Sequence, residues 1–247
     1  MASTELSAVA TLDLWQAAEG LAPVERSLAL AAVAGAQPVN ELALLPLGQR
    51  DARLLVLYRS LGTRTLEATA PCPGCGEPAE FSLEVGDLLS RGGGSTLPAR
   101  VETGGYVVSS RPPDSRDVAA ASATIDVASA ERVLLRRCVT SARGPDGDVE
   151  PSALPPEVRA QVAHAMADSD PLAEVLVDVV CPACETAFVA DVDVGGFVWA
   201  EVRGRALRLL REVDVLARAY GWTEPEVLAL DDRRRAAYLD LAREAAR

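Results

Sequence analysis

Aromatic residues are scarce in this chain, which has only 3 Trp, 4 Tyr and 3 Phe among 247 residues. That shortage argues against a large aromatic-lined pocket. With nearly half of the residues hydrophobic and many of them alanine, it predicts closely packed helices. Positive charge is also short, and the formal net charge of −12 argues against nucleic acid, whose backbone demands a cationic footprint. An acidic chain of this kind suits a partner with a basic face. Long hydrophobic runs are missing. The longest apolar stretch, residues 27–36, falls far short of the roughly 20 residues that a membrane-spanning helix needs. No basic region opens the sequence, and residues 1–14 include Glu5 and Asp13, so no signal peptide is expected. Cysteine occurs five times, an odd number, which with no export signal argues against a disulfide framework. These shortages together predict a soluble cytoplasmic protein, long enough for one large or two small domains with a real core.

Four of the five cysteines form two matching knuckles, Cys72-Pro73-Gly74-Cys75 and Cys181-Pro182-Ala183-Cys184. A shift of 109 positions also lays Leu83-Glu84-Val85-Gly86 over Val192-Asp193-Val194-Gly195, and Leu88-Leu89 over Phe197-Val198. The chain therefore carries two copies of strand, Cys-Pro-x-Cys turn, strand and helix start. Cys72, Cys75, Cys181 and Cys184 supply one complete tetrahedral zinc shell, because a tight turn brings both sulfurs of a pair to one metal at about 2.3 Å. Turn amides can then donate to the sulfurs and disperse their charge. A glycine after the second cysteine permits a positive φ. Gly76 supplies it in the first knuckle, whereas Glu185 stands there in the second.

Two other readings of the cysteines remain. A dithiol oxidoreductase would place its pair at a helix N-terminus, yet Pro78 and the alternating residues after Cys75 read as strand. The alternative is a metal site lost from this chain, leaving reduced thiols. A catalytic zinc would need an open coordination position, which four cysteines do not leave. His164, the only histidine, lies on a predicted helix beside Val162 and Met166 and reads as a packed or surface residue rather than a catalyst. Cys138 follows Arg136 and Arg137, which could depress its pKa, but Leu134, Leu135 and Val139 favour simple core. Gly92-Gly93-Gly94 lacks the lysine and the context of a phosphate loop and reads as a flexible break. No nucleophile elbow is present, and Arg233-Arg234-Arg235 reads as a solvated helix face.

Residues 12–36 are helical in period, with Pro23 suited to a first-turn position and Gly35 to a C-cap. An extended stretch near 42–47 and an amphipathic helix over 50–61 closed by Gly62 follow. A strand pair turning at Gly104-Gly105, helices over 114–121, 128–139 and 156–167, and a surface linker over 144–156 occupy the middle. Trp199, Val202, Ala206, Leu209, Val213, Leu216 and Tyr220 form one helical stripe ended by Gly221. Thr223-Glu224-Pro225-Glu226 reads as a capping box, and the last helix is expected to bury Ala236, Leu239, Ala242 and Ala246. The expected organisation is an N-terminal helical region (1–61), the first half of the ribbon (62–91), a mixed insertion (92–171), the second half (172–196) and a C-terminal helical region (197–247). The fold class is α+β: a split four-cysteine zinc ribbon of two β-hairpin knuckles on a mainly helical body.

Taken in order, several segments resemble a known family. They run from Arg50-Asp51-Ala52-Arg53-Leu54-Leu55 through Leu57-Tyr58, Leu66-Glu67-Ala68, the first knuckle and Phe81-Ser82-Leu83. They resume with the second knuckle, Phe197-Val198-Trp199-Ala200-Glu201 and Leu216-Ala217-Arg218-Ala219-Tyr220-Gly221-Trp222, followed by Glu226, Leu228, Leu230 and residues 234–239. This resembles the T-even phage baseplate hub assembly chaperone family, whose relatives also occur with phage-tail-like contractile injection systems. The resemblance covers most of the chain and is thin between Gly92 and Pro171. It implies a non-enzymatic role in assembling, or forming part of, the hub of a contractile tail, with hub, spike or tube proteins as partners. Members often lack some of the cysteines, so zinc rests on the four cysteines alone. Trp222 and Tyr238 are candidate interface anchors, with burial in the core as the competing reading. The rival function is a zinc-ribbon regulator that binds transcription machinery or nucleic acid.

Overall fold

A computed structural model describes residues 6–35 and 37–245. Its first helix, α1 (Ala8–Ala18), starts where the Ser7 hydroxyl accepts the Ala10 N–H at 3.2 Å. Gly20, at φ +81°, turns the chain into α2 (Pro23–Gly35), so the helical period over 12–36 belongs to two helices, the second with Pro23 in its first turn and Gly35 at its end as expected. Ala36 lies outside the described residues. The stretch expected to be extended near 42–47 is instead a turn and bend that joins the end of a short helix, α3 (Val39–Leu42), to the next helix. Only Pro46 makes a bridge there, to Asp114, and α4 (Leu47–Ser60) begins at once and ends before Gly62 at φ +81°. Leu54, Leu55, Leu57, Tyr58 and Leu61 bury one face of α4.

Strand β1 (Thr65–Pro71) pairs antiparallel with β2 (Pro78–Glu84), which runs directly into α5 (Val85–Ser90). The insertion follows. Strands β3 (Ala99–Thr103) and β4 (Tyr106–Ser110) turn at Gly104-Gly105, both at positive φ, as the sequence reading expects. Next come α6 (Ser115–Ser122), α7 (Val127–Cys138), β5 (Val139–Gly144) and β6 (Gly147–Asp148). The four strands form one sheet in the order β3-β4-β5-β6. The segment read as a linker after Gly144 is thus partly strand, and β5 was not anticipated. After a short 3-10 turn at Pro151–Ala153, α8 (Pro156–Ser169) closes the insertion over a core of its own, built from Val108, Leu135, Val139, Val158, Val162 and Met166.

The second hairpin, β7 (Leu176–Val180) with β8 (Ala187–Asp191), leads into α9 (Val194–Tyr220). This 27-residue helix is about 40 Å long at 1.5 Å per residue and is the spine of the molecule. Asp193 caps its start by accepting the Gly196 N–H at 3.0 Å, and Gly221 at φ +71° ends it. Three apolar clusters lie along it in turn. Val194, Val198 and Val202 join the main core with α2 and α4, Ala206 and Leu209 meet Leu12 of α1, and Leu216 meets the C-terminal helices. Those helices are α10 (Glu224–Leu228), with the expected capping box, and α11 (Asp232–Ala245). On α11, Leu239 and Ala242 are buried as expected, but Ala236 is exposed and Arg235 takes the inward position. Ala246 lies outside the described residues. The chain is therefore α+β, with two small hairpins and one four-stranded sheet set against a mainly helical body.

The insertion is fastened to the N-terminus of α4. The Leu47 N–H donates to Pro113 O at 3.2 Å, and the Gly48 N–H donates to Asp170 Oδ2 at 2.9 Å. Gln49 Nε2 donates to Gly94 O at 2.7 Å, and the Ser95 N–H donates to Ser169 O at 2.8 Å. A Cβ added at Gly48 or Gly94 would collide with the Asp170 carboxyl, and one at Gly93 would lie 3.0 Å from Gln49 Cγ. Gly93 and Gly94, expected to form a flexible break, are glycines because the backbone packs closely there.

Candidate metal centre

The two hairpins have the same register. Ala70 pairs with Ala79 and Pro71 with Pro78 in the first; 109 positions on, Val179 pairs with Phe188 and Val180 with Ala187. Each hairpin hands its chain to a helix at equivalent residues, Val85 and Val194, and both valines are buried in the main core. The inner faces meet through small side chains. Ala79, Val179 and Ala190 are buried between the hairpins, with Ala70, Phe81, Val177 and Phe188 around them. This packing holds the two knuckles tip to tip.

The knuckle turns close in the same way. The Cys72 N–H donates to Glu77 O at 2.9 Å and the Gly76 N–H to Cys72 O at 2.8 Å; the Cys181 N–H donates to Thr186 O at 3.0 Å and the Glu185 N–H to Cys181 O at 2.9 Å. Gly76 sits at φ +79°. Its counterpart Glu185 adopts φ +59°, the only positive φ at a non-glycine residue among those described. The second knuckle thus keeps the backbone of the first despite the substitution and accepts the strain of a side chain in left-handed geometry.

The four sulfurs of Cys72, Cys75, Cys181 and Cys184 lie within 4.8 Å of one another. Cys72 Sγ is 3.6 Å from Cys184 Sγ, and Cys75 Sγ is 3.6 Å from Cys181 Sγ. A tetrahedral ion with metal–sulfur bonds of about 2.3 Å requires sulfur–sulfur edges of about 3.7–3.8 Å, so the cluster is already close to the shape of a bound shell. In each knuckle the first cysteine is buried and the second exposed. All five cysteines of the chain are free of disulfides.

Second-layer groups support the sulfurs. The Gly74 N–H donates to Cys72 Sγ at 3.3 Å, and the Thr186 hydroxyl lies 3.2 Å from Cys184 Sγ. Hydrogen bonds from the Thr186 side chain and backbone, with help from the Cys75 and Cys72 thiols, pull Cys184 down to about 6. At Cys75 the Glu77 backbone works to lower the pKa. The Cys184, Cys181 and Cys72 hydrogen bonds and desolvation outweigh it and push the thiol up to about 12. A cation binding here must therefore displace the proton that Cys75 retains, whereas Cys184 is already inclined to ionise. Thr186 was not foreseen. It stands where the first hairpin has Glu77; its hydroxyl meets Cys184, two residues earlier in the same knuckle, and the close approach of the two knuckles also sets it against Gly74. Gly74 is fixed by the same approach, since a Cβ there would lie 2.8 Å from Thr186 Oγ1.

The remaining singled-out residues lie elsewhere. Cys138 is buried at the end of α7, 3.7 Å from Asp117 Oδ2, and desolvation together with that carboxylate pushes it up to about 12. Its arginine neighbours do not activate it. His164 is exposed on α8, 3.5 Å from Asp168. Trp222 and Tyr238 pack edge to face at 4.8 Å and share a half-exposed cluster with Tyr220, so each is part core and part surface. Arg235 is buried, and its guanidinium reaches Glu212 at 2.7 Å and Asp232 at 2.6 Å, which corrects the reading of residues 233–235 as a wholly solvated face. Among the described residues, no helix is long and apolar enough to cross a membrane. Comparison with known proteins finds no matching family model, no matching curated protein and no matching solved structure.

Proposed function

We infer that the protein is a non-enzymatic assembly chaperone or structural adaptor, clamped by one structural zinc ion held by Cys72, Cys75, Cys181 and Cys184. The observation that carries this reading is the four-sulfur cluster. Four thiolates take every position of a tetrahedral ion, so the bound metal would tie the two hairpins together and leave no site for water or substrate. A sulfur-only tetrahedral set suits zinc among common ions. The dithiol oxidoreductase reading is weaker, because both pairs sit in hairpin turns rather than at a helix N-terminus. The net charge of −12 counts against the nucleic-acid reading.

The assembly we propose is the baseplate hub of a contractile phage tail or phage-tail-like injection system, with hub, spike or tube proteins as partners in the cytoplasm. Support comes from the order of the segments that resemble hub assembly chaperones. It also comes from the C-terminal unit, where Tyr220, Trp222 and Tyr238 present a half-exposed aromatic cluster of the kind that anchors protein interfaces. Affinity purification from the native host followed by mass spectrometry tests this. Recovery of tail proteins is the expected result; their presence with this chain in finished particles means a resident subunit, and its absence from them a chaperone. Recovery of polymerase, or of no tail protein, would overturn the contractile-tail assignment. Elemental analysis of the purified chain should return about one zinc per molecule.

A further inference from the structure

The two hairpins are copies in backbone and register, yet their outer faces differ. In the first, the outward residues include Glu67, Thr69, Glu80 and Ser82, an ordinary solvated face. The equivalent positions 109 residues on are Leu176, Asp178, Val189 and Asp191, and the outward prolines Pro71 and Pro78 correspond to Val180 and Ala187. Leu176 is 47% exposed, Val189 57% and Val180 64%. Because the first copy keeps the same backbone with glutamates in two of these places, the fold does not require apolar residues here. Something other than folding accounts for them, and covering by another molecule is the direct explanation for adjacent exposed side chains on one sheet face.

Charge selects the occupant. Between Arg159 and Arg203 there is no lysine or arginine, whereas Glu174, Asp178, Glu185, Asp191 and Asp193 all fall in or beside the hairpin. A second copy of this face would set Asp178 and Asp191 against their own kind, which disfavours self-pairing. We propose that the outer face of the β7–β8 hairpin docks a polypeptide segment of another protein that carries an apolar stripe bordered by lysine or arginine. Leu176, Val180 and Val189 form the apolar seat, and Asp178 and Asp191 pair with the bordering cations. This deepens the partner-binding function and rests on it only in assuming that a protein is held. The hub assignment could fail while the face stands, and the reverse.

The test uses the full zinc-loaded chain and a synthetic helical peptide of leucine and lysine with one apolar stripe, beside a scrambled peptide of the same composition. The patterned peptide should bind saturably and shift the amide resonances of residues 176–191. The chain contains no lysine, so a zero-length carbodiimide coupler should join peptide lysines to Asp178 or Asp191 with little internal cross-linking. The double variant Leu176→Glu, Val189→Glu copies Glu67 and Glu80 of the first hairpin and should keep its zinc and its melting temperature. It should nevertheless bind the patterned peptide about tenfold more weakly, although it has gained two negative charges. Equal or tighter binding by the variant would mean plain charge attraction and would overturn the proposal. So would shifts confined to other surfaces, failure of the patterned peptide to bind better than the scrambled one, or concentration-dependent self-association that the variant abolishes.

Discussion

Asp117 is fully buried and still charged, and its surroundings account for this. Desolvation pushes its pKa up, but donation from Arg111 at 2.6 Å, the Asp114 N–H at 2.9 Å and Arg137 at 2.7 Å outweighs it and holds the group at about 2. A carboxylate depressed in the folded state stabilises above its unfolded pKa, near 3.9, and loses that contribution as pH falls through the folded value. The insertion should therefore lose stability between about pH 4 and pH 2. Asp117→Asn should remove that part of the acid response and cost about 3 kcal/mol at neutral pH, as urea unfolding at several pH values would show. Glu185 presents the opposite case, a residue that the local backbone does not suit. Glycine at this left-handed position should stabilise by up to about 1 kcal/mol, less than the full relief of strain because glycine also loosens the unfolded chain. Comparing thermal melts of zinc-loaded Glu185→Gly and wild-type protein would read this directly. The sequence shows Glu185 as a departure from Gly76, but not that its backbone keeps the left-handed conformation all the same.

At the scale of elements, the end of the molecule hangs on Arg235. Its guanidinium bonds Glu212 of α9, Asp232 of α11 and Leu230 O between them, and it fills the inward position that alanine was expected to take. Arg235→Ala should cost about 2–3 kcal/mol by leaving Glu212 and Leu230 O without their buried partner. Amide exchange should then quicken over residues 224–245, with a weaker near-ultraviolet signal from Tyr220, Trp222 and Tyr238, while residues 194–209 keep their protection. Unchanged exchange at α11 would show that Leu239 and Ala242 alone hold it. Sequence reading found these helices because glycine, capping-box and apolar-period signals are local. It missed Arg235 because a cluster of three arginines looks solvated until a carboxylate on another helix is seen opposite one of them. It missed β5 for a related reason. Val139–Gly144 is short and only partly alternating, and it becomes a strand by pairing with β4, which lies about 30 residues earlier in the chain. The turn around Leu44 and Leu45 reads as a strand by composition, but its backbone is set by α3 and by the contact of Pro46 with Asp114.

For the whole molecule, the decisive contact joins knuckles 109 residues apart, and the duplication makes it legible in the sequence alone. A cross-link closing a loop of that length could stabilise by nearly 5 kcal/mol if the ends were otherwise free. They are not free here. The insertion is pinned to α4 near its entry and exit by Gly94 and Asp170, the hairpins share an apolar interface, and α5 and α9 bury Val85 and Val194 in the same core. Much of the closure entropy is therefore lost on folding whether or not the ion is present, which leaves the metal about 2–3 kcal/mol. On that argument a chelator should lower the melting temperature by roughly 5–10 °C while leaving the helical circular dichroism at 25 °C almost unchanged. Stoichiometric zinc should restore the transition. Acid should strip the ion more readily than neutral buffer, because each sulfur must be deprotonated to bind it. Exchange protection should fall first around residues 72–77 and 181–186, since both knuckle tips project beyond the apolar contact between the hairpins. If the metal-free chain instead lost its helices outright, the packing would be too weak to fix the loop, and the ion would be a condition of folding rather than a clamp on a fold already made.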